Sequence, residues 1–269
     1  VTLAGEQAAE QAVFPRGGYL LKFSPSGALV MFTARAPGTG ATPWAHSTDV
    51  PAPAHRAARA AVEMLHILRS TFPTRMTMRA GAELGRFRLA LCGSANERLE
   101  QLVLGRLCTT VASLRDAAGP GELVVGPAMV TALTGWQAHI GPIRAAGRRL
   151  INVPSEVAGA PARVADLQTL LALNAPRYLA ALRPLLPKAV RQRVEGQDSP
   201  LGAAGEVRPV AVAAFPLEVD YPDDAEDSAV LLDLSAGVNL IHDTVEANGG
   251  TLLQLDVLAG GAAAVCVFG

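Results

Sequence analysis

The sequence predicts an α+β fold in which antiparallel sheet packs against helices. Three observations carry that expectation. Apolar residues alternate with period two in short runs paired around Pro/Gly/Ser turns, helical periodicity falls between those pairs instead of after every strand, and a C-terminal stretch repeats the plan of an N-terminal one. The expected order β-β-α-β-β-α-β favours a sheet-on-helix sandwich over a doubly wound parallel sheet.

The elements follow in order. Tyr19-Leu20-Leu21-Lys22-Phe23 and Ala28-Leu29-Val30-Met31-Phe32 flank Ser24-Pro25-Ser26-Gly27 and read as a β-hairpin. In 55–70, Ala58, Ala61, Val62, Leu65 and Leu68 fall on one helical face with Arg59, Glu63 and Arg69 between them. Residues 76–81 and 86–92 alternate across a Gly-bearing bend and read as a second strand pair. A helix over 105–118 is stopped by Gly119-Pro120-Gly121, and Glu122-Leu123-Val124-Val125 returns as a strand. Residues 162–194 read as a helical connector broken at Pro176, Pro184 and Pro187. A strand over 207–214, a helix over 228–247 and a second hairpin over 250–268 complete the chain. Gly17-Gly18 opens the first hairpin and Gly249-Gly250 the second, with Phe32 and Phe268 at their ends, so an internal repeat is expected.

Composition narrows the function classes. The 269 residues suffice for one large domain or two ordinary ones, and 50% hydrophobic with 17% charged residues is a globular balance. With 23 Lys+Arg against 24 Asp+Glu, the chain lacks the basic excess of a nucleic-acid binder. Cys92, Cys108 and Cys266 form no C-x-x-C pair, which argues against a disulfide framework or zinc site and for a reducing, cytoplasmic location. No apolar run reaches the ~18–20 residues of a membrane span, so no membrane partner is expected. Val1-Thr2-Leu3 has neither an initiator Met nor a signal-peptide pattern, and both ends read as points inside a longer protein.

Few residues stand out chemically. His46, His55, His66, His139 and His242 show no metal-ligand spacing, and Ser94 and Ser113 lack the G-x-S-x-G elbow. Neither Lys22 nor Lys188 follows a P-loop pattern. The acidic run Asp220, Asp223, Asp224, Glu226 and Asp227 reads as a solvated loop before a helix N-terminus. Asp256 reads as a surface strand residue, Cys92 and Cys108 as buried small apolar residues, and Arg144, Arg148 and Arg149 as a solvated cluster.

The segment from Gly17 to Phe32 resembles the second and third strands of class III nucleotidyl (adenylyl/guanylyl) cyclase homology domains, whose pattern is G-G-x-x-x-K-F-x-G-D-A-L-L-x-x-F. Arg79 to Gly85 is similar to that family's R-x-G-x-x-x-G, Val103 to Leu114 to V-L-G-D-x-V-N-x-A-x-R-L, and Ala118 to Val125 to A-x-P-G-E-I-x-V. Glu206 to Val212 resembles the opening of a second module, E-x-R-x-V-T-V, and Asn248 to Gly269 its longer hairpin. The resemblance implies a tandem as in soluble-adenylyl-cyclase-like multidomain ATPase proteins, with a ferredoxin-like cyclase-homology sandwich in each module. The implied domains are a first module over 1–158 lacking its first strand, a helical connector over 159–204, and the N-terminal half of a second module over 205–269.

In that family the active site forms between two modules: two aspartates hold two divalent metals, a Lys and a polar partner read the base, and an Asn and an Arg stabilise the reacting phosphate. The metals activate a ribose 3′-hydroxyl for attack on an α-phosphate. Carried over, the first metal-binding Asp falls on Ser26 and the Gly before it on Pro25. The Asn and Arg positions hold Thr109 and Ser113, and the base-reading polar position holds Leu102. The second module's Asp aligns with Phe215 or Pro216, and its Asp-Asp-Lys-Gly segment with Leu258-Ala259-Gly260-Gly261. Lys22 alone matches, as the nucleotide-binding Lys.

The resemblance therefore implies a degenerate adenylyl-cyclase-like tandem, a regulatory or dimerisation part of a larger signalling protein, with no catalytic or metal-binding residue and no cofactor. Its partner would be a cyclase-homology module of the same or another chain, with ATP and a downstream ATPase domain as further candidates. The alternative is an active adenylyl cyclase making cyclic AMP from ATP with Mg or Mn, its site completed by another chain or by further segments.

Overall fold

The computed structural model describes residues 11–24, 27–33, 53–71, 77–94, 98–134, 138–153, 167–186, 191, 209–217, 228–258 and 261–269. The chain is α+β with mostly antiparallel sheets, as its alternation predicts. It forms two compact units that cut across chain order. One holds Val1–Gly85 with Thr110–Thr169, the other Arg86–Thr109 with Leu170–Gly269.

The first unit opens with a hairpin of β1 (Tyr19–Ser24) and β2 (Gly27–Met31). Helix α1 (Pro53–Thr71) follows, rich in Ala, and buries Ala54, Ala58, Ala60, Met64 and Leu68. It also buries Arg56, whose guanidinium donates to the carbonyl oxygens of Arg16 at 2.9 Å, Gly17 at 3.4 Å and Thr33. The same guanidinium lies 5.9 Å from the centre of the Phe32 ring. Burial, opposed by Tyr19, lowers the Arg56 pKa, and its three carbonyl acceptors satisfy donors that would otherwise be costly to desolvate.

A four-stranded sheet follows, ordered β3 (Ala80–Ala82), β6 (Leu123–Val125), β8 (Gly147–Asn152) and β7 (His139–Arg144), with β3 parallel to β6. Strand β6 is buried at every residue because both its faces are covered. Leu123 and Val125 join Ala54, Ala58, Leu150 and α3 (Pro127–Thr134), whereas Val124 meets Leu114 of α2 (Arg106–Ala117). A Cβ on Gly81 would lie 2.4 Å from the Arg115 nitrogen, so glycine is what lets β3 approach α2. Sequence alternation missed α3 and the β7–β8 hairpin, whose short apolar stretches carry weak period signals.

In the second unit, β4 (Arg88–Ser94) pairs antiparallel with β5 (Arg98–Leu104). This corrects the expected strand pair of 76–81 with 86–92: β3 and β4 join different sheets. The physical reason is that β4 has a better partner immediately downstream, reached past Gly93 at φ 118°. Sheet β10–β11–β9 comprises β9 (Ala211–Leu217), β10 (Gly250–Leu258) and β11 (Gly261–Phe268), and α5 (Ser228–Ala247) packs on it. The core gathers Ala90, Cys92, Leu102 and Leu104 of the β4–β5 hairpin, Val238 and Val245 of α5, and Leu252, Leu255, Ala264 and Cys266 of the sheet. Ser235 on α5 accepts the Gly93 N–H at 2.9 Å and donates to its carbonyl at 3.3 Å. The connector helix α4 (Leu167–Leu182) is kinked at Asn174, two residues before Pro176. There the Asn174 side chain accepts the Arg177 N–H at 3.2 Å and caps the second segment.

The two glycine-led hairpins agree in detail. Gly17 and Gly249 take φ 67° and 71°, and a Cβ on Gly18 or Gly250 would meet Phe32 at 2.6 Å or Phe268 at 2.5 Å. The nearest aliphatic neighbours are Val13 and Val245, and the bulge between Leu20 and Lys22 recurs between Leu252 and Gln254. Each of these pairs, apart from the phenylalanines, is separated by the same number of positions. The phenylalanines stand four further apart because the second hairpin is longer.

Candidate functional site

Lys22 lies on β1 after the bulge, half-buried and in register with Leu29. Its counterpart in the second hairpin is Gln254, paired with Val265, so both hairpins carry a long polar side chain there. Pro25 and Ser26 lie outside the described residues, as do Ala259 and Gly260 and the acidic run from Asp220 to Asp227.

The Leu102 side chain is 1% exposed, on the inward face of β5 with Leu104, and it packs in the cluster that holds Cys92, Leu255 and Cys266. No polar group reads a base from such a position. Thr109 turns its hydroxyl back on α2, donating to the Arg106 carbonyl at 2.7 Å, and Ser113 is exposed on the same helix. Phe215 on β9 is 46% exposed and in register with Ala264, with Pro216 next to it opposite Ala263.

Two divalent ions demand hard oxygen ligands, carboxylates above all. The hydrocarbon side chains at Phe215 and Pro216 supply none, and among the described residues no group of three His, Cys, Asp or Glu is placed to hold a metal. The donor set present does not fit the pair of metals that the family resemblance implies.

Other charged residues are engaged in structure. Glu122 accepts from Arg144 at 2.7 Å and from the Gly119 N–H at 3.0 Å, with Arg149 at 3.3 Å. The Arg144 hydrogen bond, the Gly119 amide and the two arginine charges hold its carboxyl below the usual range. Arg148 donates to the Gly141 carbonyl at 3.2 Å, so this Arg cluster, read from sequence as a solvated surface, is turned onto its own unit. Glu83 accepts the N–H groups of Leu84 at 2.8 Å and Met129 at 2.9 Å, capping α3. His242, buried on α5, lies 3.7 Å from Glu246 and 3.9 Å from Asp243, while His66 and His139 are exposed. Cys92 and Cys266 are buried, Cys108 is half-buried, and burial raises all three thiol pKa values.

Sequence reasoning missed the buried pair of Arg98 and Glu100 and the role of Arg56. A signal existed for the first: Arg98, Glu100, Leu102 and Leu104 recur at period two, so the charges share a face with leucines.

No protein-family model matches the chain, and no curated protein matches it. Among solved structures it is similar to the guanylyl cyclase Cya2, at 18% identity and TM-score 0.44, over 60% of this chain and 83% of that one. It is also similar to the adenylyl cyclase CyaB from P. aeruginosa, at 14% identity and TM-score 0.43, over 58% and 81%. A third is the dimeric guanylyl cyclase domain of the RhoGC fusion protein from the aquatic fungus Blastocladiella emersonii, at 12% identity and TM-score 0.39, over 57% and 80%. Among the described residues no helix is long and apolar enough to cross a membrane.

Proposed function

We propose that the chain is a cyclase-like tandem module that has lost the metal and transition-state chemistry and serves as a regulatory or dimerisation part of a larger signalling protein. The observation that carries this reading is Leu102, closed at 1% exposure inside an apolar core where the resemblance places a base-reading polar group. Phe215 at a metal-ligand position supports it. Losing one electrostatic stabiliser of a transition state costs roughly 2.7–4 kcal/mol, about 10²–10³ in rate. Here the metal, base-reading and phosphate positions have all changed together, which leaves scaffold without turnover. The agreement of the two hairpins supports the tandem arrangement, and α5 with β9–β11 is the front of its second module.

Nucleotide binding tests the reading. A ligand that binds only the folded state adds about 2.7 kcal/mol of stability at a hundred times its Kd. Thermal unfolding with millimolar ATP or GTP and Mg²⁺ is expected to match unfolding without nucleotide, and Lys22→Ala to leave it unaltered. A metal-dependent upward shift that Lys22→Ala abolishes would favour the active-cyclase alternative, in which Lys22 contacts the base.

A further inference from the structure

The two hairpins match pair for pair. Leu20 opposite Val30 corresponds to Leu252 opposite Cys266, and Phe23 opposite Ala28 corresponds to Leu255 opposite Ala264, with the bulge between the pairs in each case. Their burial does not match. Leu252 and Leu255 are 2% exposed and Cys266 and Ala264 are 0% exposed, in a core that hairpin β4–β5 completes. In the first hairpin Leu20 and Val30 stay half-buried and Ala28 is exposed. The same pleated surface is closed in one copy and open in the other.

We propose that the face of β1–β2 carrying Leu20, Ala28 and Val30 is a docking site for a β-hairpin built like β4–β5. The only cover that this surface type has in the described residues, besides its own unit's helices, is such a hairpin. Its inward side chains, Ala90 and Cys92 from one strand and Leu102 and Leu104 from the other, are small or branched and alternate at period two. That alternation seats them against Leu252, Leu255, Ala264 and Cys266, and Leu20, Ala28 and Val30 offer a comparable relief of short and branched apolar groups. The inference stands on the repeat and the burial contrast, not on the cyclase reading, and survives if that reading fails.

Appending a second copy of residues 86–106 to the C-terminus of the full 269-residue chain, through a flexible Gly/Ser linker, supplies such a hairpin at high effective concentration. Ala28→Cys provides the readout, as the rate of maleimide labelling at that one thiol, resolved by peptide mapping. Labelling is expected to slow by about tenfold or more when the hairpin is appended. It should return to the rate of the unextended chain when the appended copy alone carries Leu102→Arg. Amide exchange over 28–30 in a chain without the cysteine should show the same protection. An unchanged labelling rate would overturn the proposal. So would slow, concentration-dependent labelling of the unextended chain, which would assign the face to a second copy of the chain instead.

Discussion

Arg98 and Glu100, two residues apart on the inward face of β5, form a buried ion pair, with Nη2 2.7 Å and Nε 2.8 Å from Oε1 and side-chain exposures of 8% and 9%. Arg98 also donates through Nη1 to the Leu185 carbonyl at 3.0 Å, which ties β5 to the 3-10 turn Arg183–Leu185 after α4. Truncating one member leaves a buried charge without its partner, at a cost of about 3–5 kcal/mol. Glu100→Ala is therefore expected to lower the unfolding free energy by that order, and the double change Arg98→Met with Glu100→Leu by clearly less. Urea unfolding of the three variants measures both. Equal losses for the single and double variants would show that shape, not charge, holds this corner.

Gly81 is fixed by proximity. An added Cβ would stand 2.4 Å from the Arg115 nitrogen and 2.5 Å from the Val111 oxygen, both backbone atoms of α2 that cannot rotate away. Gly81→Ala is expected to destabilise by about 1–3 kcal/mol or more. Gly27→Ala, with nothing within 4 Å, should stay within about 0.5 kcal/mol in the same chemical denaturation.

The Glu122 carboxylate gives the fold a pH signature. Its pKa in the folded chain is depressed, first by the Arg144 hydrogen bond, so its contribution is fully present above the unfolded value of about 4.3. It is lost as pH falls through the lower folded value. The stability difference between the native chain and Glu122→Gln is expected to be largest near neutral pH and to shrink on acidification below about pH 4. Paired denaturation curves across that range report it, and a gap that widens on acidification would contradict the assigned sign.

Burial should also silence two thiols. Cys92 and Cys266 lie in one apolar cluster with raised pKa values, which disfavours the reactive thiolate. A thiol-reactive disulfide reagent is expected to modify them only when the chain unfolds. Fast modification in the native state would show that the β4–β5 hairpin opens from α5.

Much of this architecture was legible because burial enforces periodicity. Residues 228–247 read as a helix to the residue, and both glycine-led hairpins were found from Gly-Gly and alternation. What failed was pairing. Alternation identifies a strand without naming its partner, so β3 and β4 looked like a hairpin although Gly93 turns β4 onto β5. Arg56 was invisible for a related reason: a charged residue in the first turn of a helix reads as solvated until the carbonyls of Arg16, Gly17 and Thr33 are seen around it. At the candidate site the residue types were plain in the sequence, but not that Leu102 is sealed in a core with Leu255 and Cys266.

Cyclic-nucleotide production tests the central claim most directly. The purified 269-residue chain, incubated with ATP or GTP and either Mg²⁺ or Mn²⁺, is expected to yield no metal-dependent cyclic AMP or cyclic GMP above a protein-free control. Metal-dependent product that scales with protein concentration and falls with Lys22→Ala would contradict it.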